Sequence, residues 1–452
     1  MKKSLMALAV LGAMSSVASA QSSVTLYGIV DVGVQWVESG VATGNAASPY
    51  SAESGVQLNG GYQSGNRFGL RGSEALGRNW NAIFTVEGGF NIDTGISGQN
   101  GQLFGRQAWA GLQHSSFGSL VAGRIATPSS GTGSFDLWGA VDPFATGWGI
   151  AGLNQTFIPS NSLREDNSIL WASPTWAGFK FAAQYSFNVL GAEALPSGNN
   201  TKGMTLAANW TWGPLFLAAT YDVISPSNTL NSPSGNPDQK MTQLGATWDF
   251  KIVKIHGAYG IQDNIRLVQN SSGGVGFFLP TGVVAYDNNP WMLGVTVPAF
   301  GGQFLASYQY SDADNVTGTN AAGAYSFEPD YSVWGVGYSY PFSRRTNLYI
   351  GYAQQEWDGN ISQANTPIGA SERFDRKQFA LGIRHLFYTQ ARRTSQGPLL
   401  AAAFFSFSSS CPYARRREHS AAARRSISPI RSRRASRSST VRACSQARAR
   451  SR

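Results

Sequence analysis

Two regularities constrain this chain more than any other feature. Its side chains alternate with period two, and its connections alternate between short and long. The stretch 373–387, RFDRKQFALGIRHLF, shows the first. Phe379, Leu381, Ile383, His385 and Phe387 fall on one face, and Gln378, Ala380, Gly382, Arg384 and Leu386 on the other. Successive side chains of an extended backbone point to opposite faces, so this period marks a strand. In a soluble sandwich the apolar face meets a core. In a membrane barrel it meets lipid, and the polar face lines a water-filled lumen.

The pattern recurs at 24–37, 67–75, 82–91, 102–113, 119–127, 168–172, 179–188 and 204–212. It continues at 215–224, 241–250, 254–263, 291–297, 303–312, 331–340, 347–357 and 373–387, which makes sixteen strands. Many approach the ~9–11 residues of a tilted strand that crosses a bilayer. Seven connections are short, around Gly77-Arg78, 115–118, 173–178, Gly213-Pro214, 251–253, 300–302 and 342–345. Eight are longer and rich in Gly, Asn, Ser and Asp, such as 38–66, 225–240 and 264–289. Sixteen strands with both ends on one side require seven turns there and eight loops opposite. The expected fold is therefore all-β, a 16-stranded antiparallel transmembrane β-barrel with long external loops. A soluble sandwich of this length would more often split into domains.

Composition agrees. Charged residues make up 13% of the chain and aromatics 12%, with 52 glycines, whereas soluble domains average about 25% charged. No later segment holds the ~18–20 consecutive apolar residues of a membrane helix. Aromatics stand at or near strand ends: Tyr27, Trp36, Trp80, Trp109, Phe117, Trp171, Trp176, Phe179, Trp212, Trp248, Tyr340, Phe342 and Trp357. Two girdles at headgroup level are expected from them.

The two ends read differently. Residues 1–20 carry Lys2 and Lys3, an apolar run, and an Ala18-Ser19-Ala20 cleavage site, the pattern of a secretory signal peptide. Residues 388–452 hold 15 Arg against one acid, Glu418, a net +14 in a chain of +10. Residues 1–387 thus carry −4 and residues 21–387 carry −6, so the basic character belongs to the tail alone. It gives no reason to assign a nucleic-acid partner to the body. Cys411 and Cys444 also lie in the tail, so the expected mature body has no disulfide. The Arg/Ser-rich tail lacks strand periodicity, and its composition predicts disorder. A read-through or frame error at the gene end accounts for it; the rival is a genuine basic appendage for anionic lipid or nucleic acid.

Several stretches resemble the general porins of Gram-negative bacteria, in the branch typical of β-proteobacteria. They are QSSVTLYGIVD at 21–31, RFGLRGSEALGRNWNAIFTVE at 67–87, FGRQAWAGL at 104–112, FGSLVAGRIATP at 117–128 and GIRHLF at 382–387. The resemblance covers nearly all of 1–387. It implies an outer-membrane channel for passive diffusion of ions and small hydrophilic solutes, a homotrimer of separate pores, and a third external loop folded into the lumen. It also implies a barrel-assembly signal in the last strand, carried here by Phe379, Leu381, Ile383 and Phe387. Outer-membrane lipid, lipopolysaccharide and the assembly machinery are the implied partners, with no cofactor. The chain departs from the family by continuing 65 residues beyond Phe387.

The longest connection, 128–167, is the third of the long loops and contains Asp136 and Asp142 before an Arg164-Glu165-Asp166 cluster. Loops this long usually have a function. Because Phe68 and Leu70 share one face, Arg67 and Arg71 share the other, the lumen face. Arg124 alternates against Val121, Gly123 and Ile125 and is read as inward. Arg106 inward places Ala108 inward and Trp109 outward. Glu87 is luminal by parity, opposite Ala82, Phe84 and Val86. A charge on the lipid face at mid-bilayer costs ~2–4 kcal/mol, which favours the lumen for these arginines. The expected constriction is Arg67, Arg71, Arg106, Arg124, Arg164 and Glu87 facing Asp136 and Asp142, a transverse field across a narrow aqueous path. The sign of its selectivity is open at this point.

Other chemistry is poorly supported. His114, His256 and His385 lack metal-ligand spacing, and no nucleophile elbow of the G-x-S-x-G type occurs, so an enzyme is not expected. Asp312-Ala-Asp314-Asn315 lacks the Gly and distal Glu of a calcium loop. Two alternatives to a general pore are a substrate-specific, sugar-type channel lined by an aromatic track, and an adhesion barrel acting through its external loops.

Overall fold

The computed structural model describes residues 23–42, 50–153, 156–157, 164–228, 237–265, 286–314, 316–320, 323–327, 330–360, 362–363 and 371–388. The expected signal peptide and the tail beyond Tyr388 lie outside the described residues.

Twenty-one strands occur among the described residues, and sixteen of them are staves of a closed antiparallel barrel. The first eight staves are β1 (Ser23–Ala42), β3 (Arg67–Gly77), β4 (Trp80–Gly89), β5 (Gln107–His114), β6 (Gly118–Ala126), β7 (Arg164–Ala172), β8 (Phe179–Ser186) and β9 (Lys202–Trp212). The other eight are β10 (Leu215–Ser225), β11 (Gln239–Asp249), β12 (Lys254–Ile265), β14 (Trp291–Ala299), β15 (Gly302–Ser311), β18 (Asp330–Pro341), β19 (Thr346–Asn360) and β21 (Ser371–Tyr388). The remaining strands decorate long loops. β2 (Tyr50–Gly60) extends β1 as a hairpin, and β13 (Tyr286–Asn288) pairs with β12. β16 (Val316–Asn320), β17 (Gly323–Phe327) and β20 (Ser362–Gln363) form a small separate sheet that joins two loops.

The barrel closes where β1 pairs with β21, from Tyr27↔Tyr388 to Ser39↔Arg376. Each of the sixteen expected strands overlaps one stave. Three boundaries move. The expected strand 102–113 begins at Gln107, so Arg106 belongs to the preceding loop. β7 starts at Arg164, four residues earlier than expected, and takes in the charged cluster. The first long connection contains the β2 hairpin.

The outward face is aliphatic: Leu26, Val34, Leu70, Leu120, Leu217, Leu244, Leu293, Ile350, Leu381 and Ile383 are all exposed. The inward face is polar but mostly uncharged, with Gln35, Thr85, Gln184, Thr205, Gln243, Gln309 and Gln378 buried. At the short-turn ends stand exposed Trp80, Phe117, Trp176, Phe179, Trp212, Trp248, Tyr340 and Phe342, which matches a girdle at one membrane surface. Two residues expected in the girdles turn inward instead. The Tyr27 hydroxyl donates to Glu87 at 2.9 Å. Trp109 is buried against Phe135, Val121, Ile125 and Leu170. The side chain of Trp357 lies outside the described residues.

Leu381 sits on the outward face of the closure strand. Leu381→Arg is expected to destabilise the barrel by about 2–4 kcal/mol, measured by urea unfolding in lipid vesicles. A loss under about 1 kcal/mol would move this position out of the hydrocarbon layer.

Candidate functional site: the lumen constriction

The third long connection folds into the barrel and packs along its inner wall. Phe135 meets Trp109, Val121 and Leu170 on β5, β6 and β7. Leu137 meets Ala182 and Ala207 on β8 and β9. Trp138, Val141, Leu153 and Phe157 pack on Ala218 and Met292 of β10 and β14. Phe144, Trp148, Ile150 and Ala151 reach Leu305, Tyr349, Ala353 and Ala380 of β15, β19 and β21. The loop thus carries its own apolar side chains into a polar lumen, and the wall provides for them.

Glycine makes the room. A Cβ at Gly245 would stand 2.5 Å from Val141, one at Gly335 2.6 Å from Ala151, and one at Gly337 2.7 Å from Trp148. These approaches are closer than a side chain permits, so inward glycines on β11 and β18 are where the loop lies down.

Neutral amides hold the loop backbone. Gln309 Nε2 donates to the Ala151 carbonyl at 2.8 Å, and Gln262 Nε2 to that of Thr156 at 3.2 Å. Gln378 Oε1 accepts from Ile150 N at 3.2 Å, and Gln107 Oε1 from Ser134 N at 3.0 Å. The Ser129 hydroxyl donates to Asp222 at 2.7 Å at the start of the loop.

The wall formed by β1, β3 and β4 carries the charges. Arg67 and Arg71 share the inward face of β3, away from exposed Phe68 and Leu70. Arg67 is half-buried and its Nε donates to the Gly65 carbonyl at 2.9 Å. Arg71 is exposed on the lumen side, with its guanidinium 5.3 Å from the Tyr27 ring centre. Glu87 is inward, as parity predicts, and buried. It pairs with Arg106 at 2.6 Å and accepts from Tyr27. Arg106 and Arg384 each lie close enough to repel Arg67. Arg164 senses Arg106, Arg67 and Arg124, with Glu87 opposing them.

Three sequence-based orientations are corrected. Gln107 and Trp109 face inward, and Ala110 and Leu112 outward, the reverse of the expected β5 parity. Arg106 reaches Glu87 from the loop before β5, not from a strand face. On β6, Val121 and Ile125 point inward beneath Phe135, so the apolar face there is the luminal one. Arg124 therefore shares the strand side of Leu120 and Ala122. A register shift between Gly123 and Ile125 lies beside it. Its guanidinium is fixed by the Gly105 carbonyl at 2.8 Å and Asp166 at 2.6 Å.

Asp136 and Asp142 fold the loop and do not stand opposite the arginines as ligands for passing ions. Asp136 accepts backbone N–H from Trp138 and Gly139 at 2.9–3.1 Å. Asp142, buried, accepts from Phe144, Thr146 and Leu153 at 2.7–2.8 Å. Burial nevertheless pushes both carboxyls up to about 6, and the backbone donors offset it only in part. Sequence reasoning did not assign Asp31, Asn66 and Tyr62. Only the parity of β1 signals Asp31, as a polar residue on the inward face.

Residues 7–360 match the Gram-negative porin family. The chain belongs to that family. The porin is 33% identical to an outer membrane porin of Bordetella pertussis over 373 residues, covering 77% of this chain and 93% of that one. It is 30% identical to outer membrane porin protein 32 of Delftia acidovorans, covering 77% and 88%. Its fold is similar to that of the anion-selective porin from Comamonas acidovorans, with TM-score 0.58 and 23% identity over 81% of this chain and 100% of that one. Like its relatives, the porin resides in the outer membrane and is a water-filled channel for passive diffusion, without enzymatic activity.

A carboxyl whose pKa rises on folding stabilises the folded state fully below its unfolded pKa, and loses that contribution as pH climbs through the folded value. Docking of the third loop is therefore expected to weaken as pH rises from 3.8 to about 6. Thermal unfolding followed across pH 4–7 should show this slope. Asp136→Asn with Asp142→Asn should flatten it, and an unchanged slope in the double variant would overturn the assignment.

Proposed function

We propose that the aperture between the third loop and the β1–β3–β4 wall is the constriction, and that it favours small anions. One observation carries this reading: cations gather on that wall while nearby carboxylates are already engaged. Glu87 is buried against Arg106 and Tyr27, and Asp136 and Asp142 are turned into the loop backbone. On that wall Arg71 is exposed and Arg67 half-buried, and Arg164, at the start of β7, is half-buried as well. Rings of Arg bias a pore toward anions. The net charge of −6 over residues 21–387 opposes this only weakly, because external charges are screened within about 8 Å at physiological salt. The anion-selective porin from Comamonas acidovorans, similar in fold, agrees with this reading.

The loop aromatics Trp138, Phe144 and Trp148 pack against the wall and are buried. They form no exposed track for a sugar, which supports a general pore over a substrate-specific channel.

Further assignments complete the reading. Three copies assemble into a trimer with one pore each. Residues 1–20 are a cleaved signal peptide, residues 21–387 the porin barrel, and residues 388–452 an Arg/Ser-rich tail that a read-through or frame error at the gene end accounts for. Phe379, Leu381, Ile383 and Phe387 form the strand that the barrel-assembly machinery reads, and the outward faces meet lipid and lipopolysaccharide. Outward exposure of Phe379, Leu381 and Ile383 supports this.

The test is the reversal potential of single channels in a planar bilayer under a potassium chloride gradient. The wild type should select chloride. Arg67→Gln with Arg164→Gln should move the reversal potential toward potassium. Glu87→Gln, which leaves Arg106 unpaired, should move it further toward chloride and lower stability by about 3–5 kcal/mol. A cation-selective wild type overturns the reading.

A further inference from the structure

The third loop is not alone in the lumen. Segment 61–66, which ends the first long connection just before Arg67, also turns inward. Tyr62 is buried between Trp148 of the third loop and Tyr349 of β19, with ring centres 6.0 and 5.8 Å away. Gly149 N donates to the Tyr62 carbonyl at 3.0 Å. Gln63 Oε1 accepts from Asn347 at 2.7 Å, and the Ser64 hydroxyl from Arg384 at 2.9 Å. A Cβ on Gly351, inward on β19, would stand 2.9 Å from the Tyr62 hydroxyl oxygen. The segment is a wedge between the far end of the third loop and the closure region of the barrel.

One residue ties it down. Asp31 is fully buried on the inward face of β1. Its Oδ2 accepts from Ser64 N at 2.6 Å, and its Oδ1 from the Tyr349 hydroxyl at 2.6 Å. Its own N–H donates to Asn66 Oδ1 at 2.6 Å, and its carbonyl accepts from Gly61 N at 3.0 Å. Arg384 lies near enough for its charge to attract the carboxylate. Hydrogen bonds to an ionised acceptor are the strong ones. Asp31 thus grips both ends of a six-residue segment and a tyrosine two staves away on β19. Arg67 follows directly, with its Nε on the Gly65 carbonyl.

We propose that segment 61–66 is a second inward element of the constriction, and that Asp31 is the positioning residue that sets its place. By holding the wedge, Asp31 fixes Arg67 on one side and Trp148–Ile150 of the third loop on the other, and so fixes the aperture. This rests on the reading of the lumen constriction given above and names a determinant of its size.

The experiment compares three full-chain variants, Asp31→Asn, Asn66→Ala and Tyr349→Phe, with the wild type in planar bilayers. Single-channel conductance and the size cut-off for polyethylene glycols of graded mass are measured for each. Folding is checked by circular dichroism and heat-modifiable migration on gels. Release of the wedge should raise the conductance and admit larger polymers in all three, most in Asp31→Asn. Asn66→Ala and Tyr349→Phe keep every charge, so a purely electrostatic role for Asp31 predicts no change in them. Folded variants with wild-type conductance and cut-off overturn the proposal, including a case where only unfolding shifts. If Asp31→Asn does not fold, the other two decide. A wild type that conducts but selects cations sinks the anion reading and leaves this comparison intact.

Discussion

The structure depends on one constraint: no backbone N–H or C=O can be left unpaired in the hydrocarbon layer. A sheet meets it only by closing on itself, and here closure is the long ladder between β1 and β21. Every stave then has two neighbours. Its side chains are sorted by parity alone, aliphatic toward lipid and polar toward the lumen. The short turns follow, because adjacent antiparallel staves on one side need only enough chain to reverse. At Gly77-Arg78-Asn79 this is done with φ of 87°, 49° and 66°, the left-handed backbone that matches the twist of a tight hairpin.

Closure creates a second problem. A barrel of sixteen staves encloses a space too wide to fill with its own side chains. The chain fills part of it with loop. The inner wall answers in two ways: glycines where the loop comes closest, such as Gly245 and Gly335, and uncharged amides where loop carbonyls and N–H groups need partners. An amide serves either role of donor or acceptor without the desolvation cost of a charge. The abundance of Gln and Gly on luminal faces is thus a packing requirement of the loop as well as a property of a water-filled pore.

This second packing layer explains what could be read in the sequence and what could not. The number of staves, their order and the two connection lengths were legible, because period two and turn residues are local signals. The faces of β3, β4 and β21 were legible too, since Leu70, Phe84 and Leu381 meet lipid and their neighbours do not. On β5 and β6 the same rule misled. Trp109, Val121 and Ile125 are apolar yet luminal, because Phe135 of the distant loop supplies an apolar environment inside the barrel. Parity gives two faces but does not say which is inside once both are apolar. The roles of Asp136 and Asp142 were hidden for a related reason. Their partners are backbone N–H groups of a loop conformation that no residue pattern announces.

The same layering shapes the electrostatics. A guanidinium in open water is free to swing and is screened; one held against a wall presents a fixed charge to a narrow path. Arg106 is held by Glu87, Arg124 by Asp166 and Gly105, Arg67 by Gly65, and Arg384 by Ser64 and Asn347. Three of these six holders, Gly65, Ser64 and Gly105, belong to inter-strand segments and not to staves. The orientation of the basic wall therefore rests on chain outside the β-ladder. A change in how those segments pack would alter the field in the pore without breaking one rung of the barrel. Luminal and lipid-facing side chains alternate along the same staves, so the lumen can change while the ladder that satisfies the bilayer stays intact.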